Sequence, residues 1–188
     1  MMRDVTEPLV PPIPTARYSL VSMSVPFMRS LLARDLASAA TEIGAAVPSD
    51  LPDRLDGFLQ FRIADLTEDP AAQPWLGRAI VAVEGAGPRV IGSVGFHAPP
   101  DATGRVEVGY HVEPEYRRQG VASEAVRSLF DWAATEHGVR RFRAAITPDN
   151  VASLAVVARL GFHEAGVQLD DIDGTELLFE LDDWPPTA

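Results

Sequence analysis

Between Arg105 and Gly138 a strand-like run, a small-residue turn and a helix-like run follow one another directly, and this segment limits the fold more than any other. In Arg105–Val112 the residues Val106, Val108, Tyr110 and Val112 share one face, while Arg105, Glu107, Gly109 and His111 share the other. Such alternation predicts a strand with one face in the core and one face available for chemistry. Beyond the turn, Ala122, Ala125, Val126, Leu129, Phe130 and Ala133 recur at intervals of three and four, which predicts a helix buried along one stripe, with Gly138 as its stop. Phe142, Ala144 and Ile146 then alternate again. A helix between two strands is a crossover connection, and it makes the fold a mixed α/β one.

The flanking sequence extends this pattern. Tyr18–Met23 reads as a first strand, followed by Ser24 as a helix cap and by Phe27, Met28, Leu31, Leu32, Leu36 and Ala39 at helical spacing. Leu55, Phe58, Leu59, Ile63 and Leu66 mark a second helix, which Pro70 and Pro74 end. Ala79–Glu84 and Arg89–Phe96 read as a hairpin across Gly85-Ala86-Gly87-Pro88. Asn150 caps a helix running to Leu160, Gly161-Phe162 supplies a Schellman-type end, and two last strands lie near 162–169 and 175–181. The order is β-α-α-β-β-β-α-β-α-β-β, with consecutive strands expected to pair antiparallel. Residues 16–183 read as a single domain, 1–15 as an extended Pro-rich arm and 184–188 as a tail.

Composition narrows the chemistry. The chain of 188 residues contains no cysteine, so thiolate nucleophiles, disulfides and thiolate metal sites are excluded. Its formal charge of −11 opposes nucleic acid and anionic membranes as partners and favours a cationic amine. The N-terminus lacks the apolar core of a signal peptide, and no apolar run reaches the ~20 residues that span a bilayer, so a cytoplasmic protein is expected.

The turn Glu113-Pro114-Glu115-Tyr116-Arg117-Arg118-Gln119-Gly120-Val121-Ala122-Ser123 places small residues where backbone N–H groups leave a helix start, and two arginines add positive charge. Such a turn suits an anion with several phosphate oxygens. Neither a P-loop nor a dinucleotide fingerprint is present. Arg117-Arg118-Gln119-Gly120-Val121-Ala122 resembles the (Gln/Arg)-x-x-Gly-x-(Gly/Ala) pyrophosphate loop of Gcn5-related N-acetyltransferases (GNAT). Val106-Glu107-Val108-Gly109-Tyr110, Gly120–Ala125, Asn150-Val151-Ala152-Ser153 and Leu160-Gly161-Phe162 resemble the RimJ/RimL-like branch of that superfamily, over about residues 16 to 183. The resemblance implies the GNAT acyl-CoA N-acyltransferase fold, a mostly antiparallel sheet flanked by helices, and acetyl-CoA as acyl donor. It implies that Arg117 and residues 118–123 (Arg118, Gln119, Gly120, Val121, Ala122, Ser123) serve the CoA pyrophosphate, and that main-chain groups near Tyr110 and Val112 pair with the pantetheine arm.

Without a thiol nucleophile, direct attack of an amine on the thioester is the economical reaction, and it needs a base for an ammonium of pKa near ~10. Glu107, on the non-core face of its strand, is the first candidate; a salt-bridged strand carboxylate is the competing reading. His111, on the same face, is the second candidate base, against an ordinary surface histidine. Asn150 serves as helix cap, and the resemblance adds a place near the CoA arm for Asn150 and near the sulfur for Ser153, as general acid. The tyrosine that many relatives carry farther along this helix is replaced by Val156, Val157 and Ala158. The acidic run Asp170, Asp171, Asp173 and Glu176 is either a solvated loop or the flank of a groove for a cationic acceptor. His97 and His163 lack metal-ligand spacing, so no metal is expected. The expected activity is acetyl transfer from acetyl-CoA to a primary amine, of a protein N-terminus or a small molecule. A non-catalytic acyl-CoA-binding module is the alternative, and homodimer formation stays open.

Overall fold

The computed structural model describes residues 10–170 and 174–185. Residues 1–9 of the expected arm, Asp171 and Asp173 of the acidic run and residues 186–188 of the expected tail lie outside the described residues. Eight strands form one sheet: β1 (Ile13–Pro14), β2 (Tyr18–Ser22), β3 (Arg78–Glu84), β4 (Gly87–Phe96), β5 (Arg105–Val112), β6 (Arg141–Ile146), β7 (His163–Asp170) and β8 (Gly174–Leu181). Their spatial order is β1-β2-β3-β4-β5-β6-β8-β7, and every pairing is antiparallel except β5 with β6. The helices are α1 (Val25–Leu32), α2 (Leu36–Ile43), α3 (Leu51–Glu68), α4 (Val121–His137) and α5 (Val151–Leu160). None of the described helices is long and apolar enough to cross a membrane.

Alternation on the strands divides their side chains between two cores. Ile80, Ala82, Val94, Val106 and Val108 pack with Ala125, Leu129 and Phe130 of α4 and Val157 of α5. Ala79, Val81 and Val90 pack with Phe27 and Leu31 of α1, Ala39 of α2 and Leu59 of α3. Helices on both faces bury β3 and β4 from water on each side, the main source of stability in such a layered fold, whereas β7 at the far edge stays largely exposed. The two expected strand faces are observed, with one exception: Val106, Val108 and Val112 are buried and Tyr110 half-buried on one side, Glu107, Gly109 and His111 are half-buried on the other, and Arg105 on that second side is buried in ion pairs with Glu180 and Asp182.

Two expectations are corrected. The helix expected from Phe27 to Ala39 is two helices, because Arg34 turns into the left-handed region (φ 57) and the Asp35 carboxylate then caps a new start through Ser38 N–H at 3.0 Å. Trp184 is not tail: it is 1% exposed, meets Phe130 edge-on at 5.4 Å between centroids, and its indole N–H donates to Asp131 at 2.8 Å. The caps read from Ser24, Asn150, Gly138 and Gly161 form as expected; Phe162 N–H, for example, reaches Val157 O at 3.1 Å across the left-handed Gly161.

One irregularity of the sheet positions the site. β5 pairs with β6 through Arg105–Arg141, Val106–Phe142 and Glu107–Arg143 only, while β5 stays on β4 as far as Val112. Beyond Glu107 the two strands part, and a wedge opens in the sheet above the start of α4.

Candidate active site

The opening is lined by backbone. His97 N–H donates to Glu107 O and Glu113 N–H donates to Ile91 O, so the odd residues of this stretch bond to β4. By the antiparallel alternation, the backbone groups of Val108, Tyr110 and Val112 turn toward the side that β6 has left. Arg117 Nε takes the Val112 carbonyl at 2.9 Å, which ties the following loop to the strand end.

That loop is shaped by two residues in the left-handed region, Arg118 (φ 60) and Gly120 (φ 79). A side chain on Gly120 would meet only Arg17 Nη2, at 3.5 Å, so glycine here serves conformation and not crowding by the protein. Glu124 N–H, bonded to Gly120 O at 3.0 Å, is the first one taken up by helix α4. The N–H groups of residues 118–123 have no backbone acceptor among the described residues, which leaves them, with the positive end of the helix dipole, for an anion. Val121 anchors the turn in the core at 2% exposure, while Ala122 and Ser123 are half-buried and keep the floor low. The Gln119 side chain folds back onto Glu115 O at 2.9 Å, so Gln119 offers its main chain to the loop.

The sequence reading missed a brace on this loop. From the turn after β1, Thr15 Oγ1 donates to Glu124 at 2.7 Å, Arg17 N–H donates to it at 2.8 Å, and Arg17 Nε pairs with it at 2.7 Å. Arg17 Nη2 also donates to Gln119 O at 3.0 Å. Burial raises the Glu124 pKa, but the bonds from Thr15 and Arg17 outweigh it and hold the carboxyl below its usual range. A depressed folded-state pKa stabilises at neutral pH and is lost as pH falls below ~4 through the folded value. Glu124→Ala is expected to cost about 1–2 kcal/mol, mostly through the part-buried bonds, and to lower the melting temperature by about 3–6 °C near neutral pH. Simple electrostatics would let an anion bind more tightly once that carboxylate is gone. Weaker binding of CoA by the variant, measured by titration calorimetry, is expected instead because the loop loses its brace.

On the other face of β5, Glu107 and His97 come together, with Nδ1 of the ring 3.3 Å from the carboxylate. The bond from His97 holds the Glu107 carboxyl below its ordinary range, opposed by burial and helped by Arg143. Next to them lies a cavity of about 190 Å³ lined by Pro99, Asp101, Arg105, Glu107 and Arg143 as well as His97. His111 is farther along the same face; burial first, then Arg54 and Arg117, depress its pKa, and its buried Nε2 has no hydrogen-bond partner among the described residues. At the start of α5, the Asn150 side chain caps Ser153 N–H at 3.1 Å. The Tyr110 hydroxyl donates to Ser153 O at 3.3 Å, so β5 brings a phenol to the segment where the helix itself carries none.

His163, Glu180 and Asp182 also converge, although sequence spacing gave no hint of it. Arg105 and Arg143 hold Glu180 at 3.1 and 2.7 Å, and Arg105 and Arg141 hold Asp182 at 2.7 and 3.3 Å. Carboxylates already committed to guanidiniums form an ion-pair network that locks β6 and β8 to β5.

Comparison with known proteins adds three findings. Residues 33–163 match the family described as acetyltransferase (GNAT) domain. The uncharacterized N-acetyltransferase YoaA of Bacillus subtilis (strain 168) is 36% identical over 78 residues, 42% of this chain and 44% of its own. The chain spans under half the length of the curated relatives it matches. Among solved structures, the ribosomal-protein-S5-alanine acetyltransferase of Vibrio fischeri aligns at a TM-score of 0.59 and 21% identity over 94% of this chain and 100% of that one. The microcin C7 self-immunity acetyltransferase MccE, in complex with acetyl-CoA and AMP, aligns at 0.62 and 17% identity over 92% and 97%. At these identities the solved structures speak to the fold alone. The family match takes in β3 to β6 with α3, α4 and α5, and so contains the strand, the loop and the helix that build the site; the chain belongs to the acetyltransferase (GNAT) domain family.

Proposed function

We propose that the protein moves an acetyl group from acetyl-CoA to a primary amine, by direct attack in a ternary complex. One observation carries this reading: an open backbone edge on β5 ends at a loop whose N–H groups 118–123 have no backbone acceptor among the described residues. Such an edge suits the amides of a pantetheine arm, and such a loop suits a pyrophosphate. In this reading Gly120, Val121, Ala122 and Ser123 bind with Arg118 and Gln119 through the main chain, Arg117 fixes the loop to Val112, and Tyr110 and Asn150 flank the arm. The residues present fit CoA: small or backbone-offering at the turn, with positive charge from arginines 117 and 118. When bound, acetyl-CoA supplies the activated acyl carbon.

The remaining roles fall to side chains on the two sides of the wedge. Glu107, with the imidazole beside it, forms the basic site that receives the ammonium proton, and the Ser153 hydroxyl takes the role of general acid toward the leaving thiolate. We assign the chain to the RimJ/RimL-like branch, whose solved members include a ribosomal L7/L12 α-N-protein acetyltransferase that aligns at a TM-score of 0.61. A peptide N-terminus or a small amine is the acceptor, and the net charge of −11 favours a cation in either case.

Release of free thiol from acetyl-CoA in the presence of amines tests the reading. Amine-dependent release is expected, and Ser153→Ala is expected to lower kcat by roughly 10²-fold with acetyl-CoA affinity unaltered. Tight binding of acetyl-CoA without release for any amine would make the protein a binding module instead.

A further inference from the structure

His97 lies one residue beyond β4, whose last residue, Phe96, faces Val108 across the ladder. The register therefore sets His97 beside Glu107, on the face of β5 opposite the α4 core, although the two are ten positions apart in sequence. Two contacts fix the ring. Nδ1 is 3.3 Å from the Glu107 carboxylate, and Nε2 stands where a methyl group on Gly109 would come within 2.8 Å of it. The ring thus occupies the space that Gly109 leaves empty, with Nε2 directed along β5 toward the part of the strand from which β6 has departed. Its side chain is 54% exposed and that of Glu107 is 26% exposed, so the imidazole is the outer member of the pair.

We propose that Nε2 of His97 takes the proton of the attacking ammonium, and that Glu107 acts as a positioning residue by holding Nδ1–H of the ring. The proposal rests on the acetyl-transfer reading above. A carboxylate facing Nδ1 fixes the proton on that nitrogen and leaves the lone pair on Nε2, the arrangement in which a base is oriented by a third group. A carboxylate held below its usual range is a poor acceptor for an ammonium proton, and the imidazole beside it offers a second nitrogen that does not face the carboxylate. Glu107 then stabilises the imidazolium as it forms. The charged groups around the pair come from every neighbouring element: Arg62 of α3, which donates to His97 O at 2.6 Å, Asp101 of the following loop, Arg105 of β5, Arg143 of β6 and Asp170 of β7.

The step balances without a further reagent. The ammonium gives one proton to Nε2, and the freed nitrogen lone pair forms the C–N bond at the thioester carbonyl. The C–S bond breaks as the carbonyl re-forms, and the second amine proton passes to the departing thiolate through Ser153 or water.

The test measures thiol release from acetyl-CoA against pH, with a panel of amines that includes spermidine and a short peptide with a free N-terminal serine. His97→Gln is expected to lower kcat by about 10²-fold and to leave the Kd for acetyl-CoA within about twofold. Gly109→Ala keeps both His97 and Glu107 but displaces the ring, and a comparable loss of kcat is expected from it. A readout independent of turnover is the ¹⁵N spectrum of the imidazoles, in which neutral His97 is expected to carry its proton on Nδ1 in the wild type and to lose that preference in Glu107→Gln. Release that His97→Gln leaves within about threefold overturns the relay and points to His111. Absence of amine-dependent release from the wild type overturns the acetyl-transfer reading itself, and the relay with it.

Discussion

Gly120→Glu is expected to weaken acetyl-CoA binding by about 10²-fold or more, whereas Gly120→Ala is expected to weaken it only a few-fold. Both substitutions place a side chain at φ 79, a left-handed conformation that costs a residue with a Cβ about 1 kcal/mol. Among the described residues nothing crowds that Cβ, since its nearest neighbour is Arg17 Nη2 at 3.5 Å. The difference between the two variants therefore isolates charge and bulk. A carboxylate ~4–5 Å from a phosphate, at an effective dielectric near 20, is repelled by about 3–4 kcal/mol, or 10² to 10³ in Kd. Arg17 is already bonded to Glu124 and to Gln119 O, so it is not free to neutralise the new charge. Titration calorimetry with acetyl-CoA on the three proteins decides the matter. Equal losses in both variants would mean that strain and not the anion site is responsible, and no binding by the wild type would remove the loop assignment.

The largest effect on stability is expected at Phe130, on the inward stripe of α4. Phe130 and Phe142 are both fully buried and stack at 3.7 Å between centroids, with Phe96 at 6.2 Å and Trp184 edge-on at 5.4 Å. The residue thus joins α4, β4, β6 and the C-terminal segment in one contact. Phe130→Ala removes the ring and leaves a cavity among aromatic side chains that cannot collapse onto it, at a cost of about 3–5 kcal/mol. For a chain of this size that corresponds to a fall in melting temperature of roughly 8–15 °C. Phe130→Leu, which fills most of the volume, is expected to lose less than half as much. Thermal unfolding followed by circular dichroism measures both, and a fall of under ~4 °C for the alanine variant would show that this cluster does not anchor the fold.

Where the chain was legible, local patterns carried the information. The alternation in Arg105–Val112 and the three-four spacing from Ala122 to Ala133 place a strand and a helix correctly, and Gly120 sits in the left-handed turn between them. Helix ends marked by Gly138 and Gly161 were equally plain. What was not legible depends on residues far apart in sequence. β1 is two residues long, too short for any periodicity, and exists because Ile13 and Pro14 face Leu20 and Ser19. Trp184 stands before two prolines, where it reads as a tail, and only the packing of α4 against β6 makes a slot for it. Glu124 lies 109 positions from Thr15, and His97 meets Glu107 only once the β4–β5 register is set. The break at Arg34 shows the opposite case: a local conformation overrode a helical pattern that continued through it.

The parting of β5 from β6 has a consequence for how such a chain can change over generations. Backbone bonding between β5 and β6 is confined to the three pairs from Arg105–Arg141 to Glu107–Arg143, so a substitution in β7 or β8 reaches β1 to β4 chiefly through side chains, the Arg105 ion pairs and the shared core. One half holds the turn that suits a nucleotide; the other forms the far bank of the cleft. The family match ends at residue 163, where β7 begins. In a sheet divided in this way, change on one bank is felt by the other through the side chains that join them and not through the backbone ladder.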